Sequence, residues 1–215
     1  MCSVCEIASL DRISPLFFQE RCRGNHLAMT TTPEESSRND AGLGDKSTEV
    51  LYEGKFLTFK RKGAWEYVER RGVTGTVAIL AVTENQELIL VEQFRPPVDC
   101  RVIEIPSGLA GDTSSSEHET LARAASRELL EETGYEARSF EYLTEGPSSA
   151  GLSTEQITFF RAHGVKKVAE GGGDEAETIT IHHVPLDQLT LWLDSKRQEG
   201  CLVDFKVFAA LYFLS

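Results

Sequence analysis

Along this chain the spacing of apolar and polar residues changes near residue 47, and everything regular lies after that point. Residues 51–59 and 65–68 hold apolar side chains in strand-like runs, separated by a turn at Lys62-Gly63, and predict a β-hairpin. Aliphatic runs over 76–82 and 87–94, split by the turn-forming Glu84-Asn85-Gln86, predict two further strands. A short strand over 102–105 is stopped by Pro106. Ser116-Glu117-His118-Glu119 has the form of a capping box, so a helix is expected from there to Gly134. Strands over 156–161 and 178–183 follow. Pro185 is expected to open a helix through Leu186, Leu189, Trp192 and Leu193, and a last apolar helix covers 203–214. Strands precede and follow helices without a regular βαβ repeat, which predicts an α/β (α+β) fold: a mixed sheet covered by helices on two sides.

Residues 1–46 carry the turn-rich stretch Thr30-Thr31-Thr32-Pro33-Glu34-Glu35-Ser36-Ser37 and are expected to form a disordered extension. Acidic Glu6, Asp11 and Glu20 argue against an organellar targeting peptide there. The five cysteines are odd in number and scattered, which fits a reduced, cytoplasmic setting. Cys2 and Cys5, with Cys22 and His26, form the one candidate zinc set, against the plainer reading of thiols in a floppy terminus. No run approaches 18 apolar residues, so no membrane-spanning helix is expected. A formal charge of −12 argues against nucleic acid as partner. It does not exclude an anionic phosphate substrate, provided divalent cations lie between the two.

The charge matters most in one place. Glu128, Glu131 and Glu132 fall on one side of the predicted helix, beside an apolar stripe of Leu121, Ala125 and Leu129. Three carboxylates at this spacing repel one another by roughly 0.2–0.5 kcal/mol per pair, and they crowd the negative end of the helix dipole. Arg123 and Arg127 are the local compensation. A hard divalent cation would convert the liability into an oxygen-ligand site; without further information, a solvated acidic face is the commoner explanation.

The flanking residues change that balance. Glu119-Thr120, then Arg127-Glu128-Leu129-Leu130-Glu131-Glu132-Thr133-Gly134-Tyr135, resemble the Nudix box G-x5-E-x7-R-E-U-x-E-E-x-G-U from its first glutamate onward. Position 113 is Thr where the box has glycine, and Gly108 after Pro106-Ser107 is the better match, with about five extra residues between. Upstream, Gln93-Phe94-Arg95-Pro96-Pro97 and Glu104-Ile105-Pro106-Ser107-Gly108-Leu109 resemble the corresponding stretch of ADP-ribose (ADP-sugar) pyrophosphatases. The loop Ser149-Ala150-Gly151-Leu152-Ser153-Thr154-Glu155 is similar to that branch's S-P-G-x-S/T-x-E, with Ala150 in place of proline.

The resemblance implies a Nudix α/β/α sandwich over 73–215, preceded by a hairpin region at 47–72 that serves dimerisation. It implies Mg²⁺, with Mn²⁺ as a substitute, held by Glu128, Glu131, Glu132 and the Ser107 carbonyl, with Glu119 in support. Arg127 would orient the glutamates. Trp65 and Arg70 would meet the nucleotide, and Arg95 and Glu104 the diphosphate or metal. Glu177, or else Glu175, would be the general base, carried on a mobile loop hinged at Gly171-Gly172-Gly173. His182 and His183 read as structural. The implied activity is hydrolysis of ADP-ribose or another ADP-sugar by a homodimer. The alternatives are a UDP- or GDP-sugar, or a nucleotide sensor that does not cleave.

Overall fold

The computed structural model describes residues 47–111, 120–173 and 178–214. Strand β4 (Gly75–Ala81) is the axis of the fold. Its Ala78 and Leu80 enter one apolar cluster while Val77, Ile79 and Ala81 enter another, and all five are fully buried. A strand buried on both faces reads as a continuous aliphatic run rather than an alternating one, as this one does.

β4 lies between β7 (Ser107–Ala110), antiparallel to it, and β10 (Gln156–His163), parallel to it; β9 (Ser139–Pro147) adds to the far side of β10. A second four-stranded sheet has the order β12 (Thr180–Pro185), β5 (Glu87–Arg95), β6 (Cys100–Glu104) and β13 (Leu202–Val203). Parallel and antiparallel pairs mix in both, as expected. Helix α1 (Leu121–Thr133) buries Ala124, Ala125 and Leu129 against the second cluster. On the other side α2 (Leu189–Gln198) and α3 (Phe205–Tyr212) bury Leu189, Leu193, Val207 and Ala210 in the first. The α/β/α layering is therefore the observed architecture.

Several expectations need correction. The hairpin is a three-stranded antiparallel sheet, β1 (Glu49–Glu53), β2 (Leu57–Lys62) and β3 (Trp65–Arg70), because the Gly54–Leu57 turn breaks the first run in two. Helix α1 starts later than the capping box suggests: Thr120 is its N-cap, its side chain accepting from the Arg123 N–H. Pro185 ends β12 and opens no helix; α2 begins at Leu189. Gly134 does stop α1, at φ 72°. Among the described residues no helix is long and apolar enough to cross a membrane. The zinc candidates, and Glu119, Glu175 and Glu177, lie outside the described residues.

Candidate active site

Strand β7 passes directly over α1, and the contact depends on a missing side chain. A Cβ built on Gly108 would overlap the carboxyl group of Glu128, so glycine leaves the notch in which that carboxylate sits. Glu128 and Glu132 are buried, at 9% and 4% exposure, whereas Glu131 stays exposed. Each has a defined partner. Arg127 Nη1 donates to Glu128 Oε1 (2.8 Å) and to Glu131 Oε2 (3.0 Å), and its Nη2 donates to Leu109 O (2.8 Å). Ser107 N–H donates to Glu132 Oε2 (3.0 Å). Ser107, Arg127, Glu128 and Glu132 thus converge, with Glu131 joined to them through Arg127.

Among the described residues no three His, Cys, Asp or Glu side chains close around a single point. The donors present are nonetheless all oxygens, two of them buried carboxylates beside a backbone strand. That is the donor chemistry a hard divalent cation takes.

The C-terminal end of α1 is clasped by the segment after β11 (Lys166–Lys167), which pairs antiparallel with β8 (Tyr135–Glu136). Gly172 N–H donates to Glu132 O (2.9 Å) and Gly173 N–H to Glu131 O (3.1 Å), while Lys167 Nζ donates to Thr133 O (3.0 Å). Residues Gly171, Gly172 and Gly173 all have positive φ. The glycines at which the hinge is expected thus dock as a strap on the carbonyls of the two last box glutamates.

Two further ion pairs hold the remaining candidate residues. Arg95 Nε donates to Glu104 Oε2 (2.7 Å), whose side chain is 4% exposed. Arg70 Nε donates to Glu155 Oε1 (2.7 Å), and Thr76 Oγ donates to the same oxygen (3.3 Å). Burial pushes the Glu155 carboxyl up, but hydrogen bonds from Arg70, Ser148 and Thr76 outweigh it and hold the group below the usual carboxylate range. Thr76 and Val77 are neighbours on β4, but their side chains leave opposite faces: Thr76 holds Glu155, while Val77 pairs with Gly108 and packs on the side of α1. Trp65 stands 58% exposed at the start of β3, and Gly151 lies near one edge atom of its ring. The loop containing Ala150 is laced to β3 by Val68 N–H to Leu152 O (2.9 Å) and Thr154 N–H to Val68 O (3.1 Å).

The NUDIX domain model matches residues 73–205. This chain belongs to the NUDIX family. It is 33% identical over 141 residues to the methanol dehydrogenase activator of Bacillus methanolicus and 32% identical over 141 residues to the ADP-ribose pyrophosphatase of Bacillus subtilis. Each of those alignments covers 65% of this chain and 71% of the relative. The ADP-sugar pyrophosphatase of Mus musculus is 33% identical over 189 residues, covering 76% and 83% of the two chains. A crystal structure of an ADP compounds hydrolase shares the fold, with a TM-score of 0.55, 20% identity, and 69% and 80% coverage of the two chains.

Three residues that the sequence did not single out hold candidate residues or their partners: Glu155 on Arg70, Thr76 on Glu155, and Lys206 on Glu104. Glu155 closes the quoted Ser149–Glu155 motif and was the one most open to notice. Lys206 Nζ reaches Glu104 Oε1 (3.3 Å) from 102 positions away, and no local pattern encodes that contact.

Proposed function

We propose that the chain hydrolyses the diphosphate bond of ADP-ribose or a related ADP-sugar, yielding AMP and a sugar phosphate. The observation that carries the reading is the Glu128 carboxylate seated in the Gly108 notch, with Arg127 bridging it to Glu131 and to the β7 backbone. Glu128, Glu131, Glu132 and the Ser107 carbonyl would hold Mg²⁺, or Mn²⁺ in its place. When bound, the ion neutralises the diphosphate and makes a water more acidic.

The chain's own residues do the rest. Arg127 keeps two of the glutamates oriented through charge-assisted hydrogen bonds. Glu177, or else Glu175, takes the proton of the attacking water as its oxygen bonds to phosphorus and the bridging P–O bond breaks. Arg95 holds the diphosphate from the bound substrate onward, while charge builds on the phosphates, with Glu104 beside it. Trp65 offers a face for the adenine and Arg70 a nearby cation. The names of the relatives support ADP-ribose or another ADP-sugar as substrate.

A UDP- or GDP-sugar is the second reading, favoured by Ala150 in the loop laced to β3. We also propose a cytoplasmic homodimer. Val50, Tyr52, Phe56, Leu57 and Trp65 of the N-terminal sheet region are all more than 40% exposed, an apolar surface that a second copy would cover.

The test is to follow nucleoside monophosphate release from ADP-, UDP- and GDP-sugars with Mg²⁺. AMP from ADP-ribose is expected, abolished by chelator and reduced at least about a hundredfold in Glu132→Gln. Nucleotide binding without any turnover would establish a sensor instead. Full activity in Glu132→Gln would sink the metal assignment, and a monomer by light scattering would remove the dimer.

A further inference from the structure

The start of α3 is fastened to the strand that carries Glu104. Asp204 N–H donates to Ile103 O (2.9 Å), one residue before Glu104. Asp204 then caps the helix, its Oδ1 accepting the Lys206 N–H (2.6 Å), while its Oδ2 accepts Lys206 Nζ (2.7 Å). That second bond folds the lysine back over its own helix terminus, where Nζ also donates to Glu104 Oε1 (3.3 Å). The opposite oxygen, Oε2, accepts Arg95 Nε (2.7 Å).

One carboxylate, 4% exposed, is thus held between two cations from distant parts of the chain. Lys206 is itself 17% exposed, whereas Arg95, at 39%, faces outward. A buried carboxylate takes the orientation its partners impose, because each charge-assisted bond is strong where water is scarce. With Lys206 on Oε1, rotation of the Glu104 carboxylate is opposed, and Arg95 Nε meets a fixed oxygen. Without it, the carboxylate can turn to meet the guanidinium in the bidentate geometry that arginine favours. The guanidinium would then shift.

We infer that Lys206 is a positioning residue: by holding Glu104 Oε1 it fixes where the Arg95 guanidinium stands toward the substrate. This rests on the proposed role of Arg95 at the diphosphate.

The experiment compares wild type, Lys206→Met and Lys206→Arg with ADP-ribose and Mg²⁺. Lys206→Met is expected to raise KM about tenfold with kcat within about twofold, and Lys206→Arg to restore KM. A purely structural role would lower the active fraction, and so kcat, at constant KM. Wild-type KM in Lys206→Met, or no restoration by arginine, overturns the inference. Should Lys206→Met fail to fold, Lys206→Gln takes its place: its uncharged amide stops one atom short of Glu104 Oε1, and the same rise in KM is expected of it.

A second readout needs no turnover. The Arg95 Nε–Hε resonance, identified by its loss in Arg95→Lys, is expected to move in Lys206→Met (or in Lys206→Gln) and return in Lys206→Arg. An unmoved resonance overturns the inference whatever the activity. A moved resonance in a protein that hydrolyses no nucleotide sugar would defeat the proposed function and leave the positioning of Arg95 standing.

Discussion

At the scale of single residues, the site depends on a side chain that is absent. Gly108 lets the Glu128 carboxylate lie against β7, within reach of Arg127. Gly108→Ala would put a methyl group where that carboxyl carbon sits, and the glutamate, not the paired backbone of β7, must give way. Displacement of a catalytic group by about 1 Å can cost about 10²-fold. We therefore expect kcat/KM to fall by about that factor, with weaker Mg²⁺ dependence; a variant within twofold of wild type would show that Glu128 tolerates the move. The three glutamates were legible in the sequence because helical periodicity alone groups them on one side. The reason for Gly108 was not legible, because the atoms it accommodates come from a residue 20 positions later.

At the scale of elements, α1 has an electrostatic problem at its C-terminal carbonyls that its own Arg127, engaged by Glu128 and Glu131, does not solve. Its last turn carries no basic residue, yet three glutamates lie in its C-terminal half. The remedy comes from outside, through the Lys167 ammonium and the N–H groups of Gly172 and Gly173 on its final carbonyls. Gly134 makes the docking possible: at φ 72° it turns the chain, and a Cβ there would overlap the Ala169 carbonyl. Gly134→Ala should therefore cost more than the roughly 1–2 kcal/mol of a left-handed alanine alone. Denaturant unfolding measures this, and a loss below about 1 kcal/mol would mean that the strap adapts. The strap was not readable in advance, since three glycines in a row signal conformational freedom and say nothing of what they bind. Strand β9 was missed for a different reason. Its solvent-facing positions outnumber its apolar ones, so the alternation is weak. Strands β4 and β5, buried on both faces, were the easiest to read.

For the molecule as a whole, the second sheet and α2 are joined by a buried charge at Glu92. Its Oε1 accepts from Arg101 on β6, and its Oε2 accepts from His182 on β12 (2.9 Å) and pairs with Lys196 on α2 (3.2 Å). Three elements therefore meet on one carboxylate that is 7% exposed. Burial alone pushes this carboxyl up, but the hydrogen bonds from Arg101, His182 and Lys196 together outweigh it and hold it at about 2, against an ordinary value of 4.5. Because the folded value is depressed, the unfolded chain takes up the proton first. The contribution to stability is complete above about pH 5 and is lost as the pH falls from there toward 2. The size of the shift corresponds to about 2–3 kcal/mol after allowing for the partly exposed partners. For a chain of this length that is roughly 5–10 °C in Tm. Glu92→Gln lacks the titration, so its stability should lie below wild type near neutral pH, and the two curves should draw together as the pH is lowered to 3. A gap between them that stays constant from pH 7 to pH 3 would show that Glu92 packs into this junction without holding it by charge.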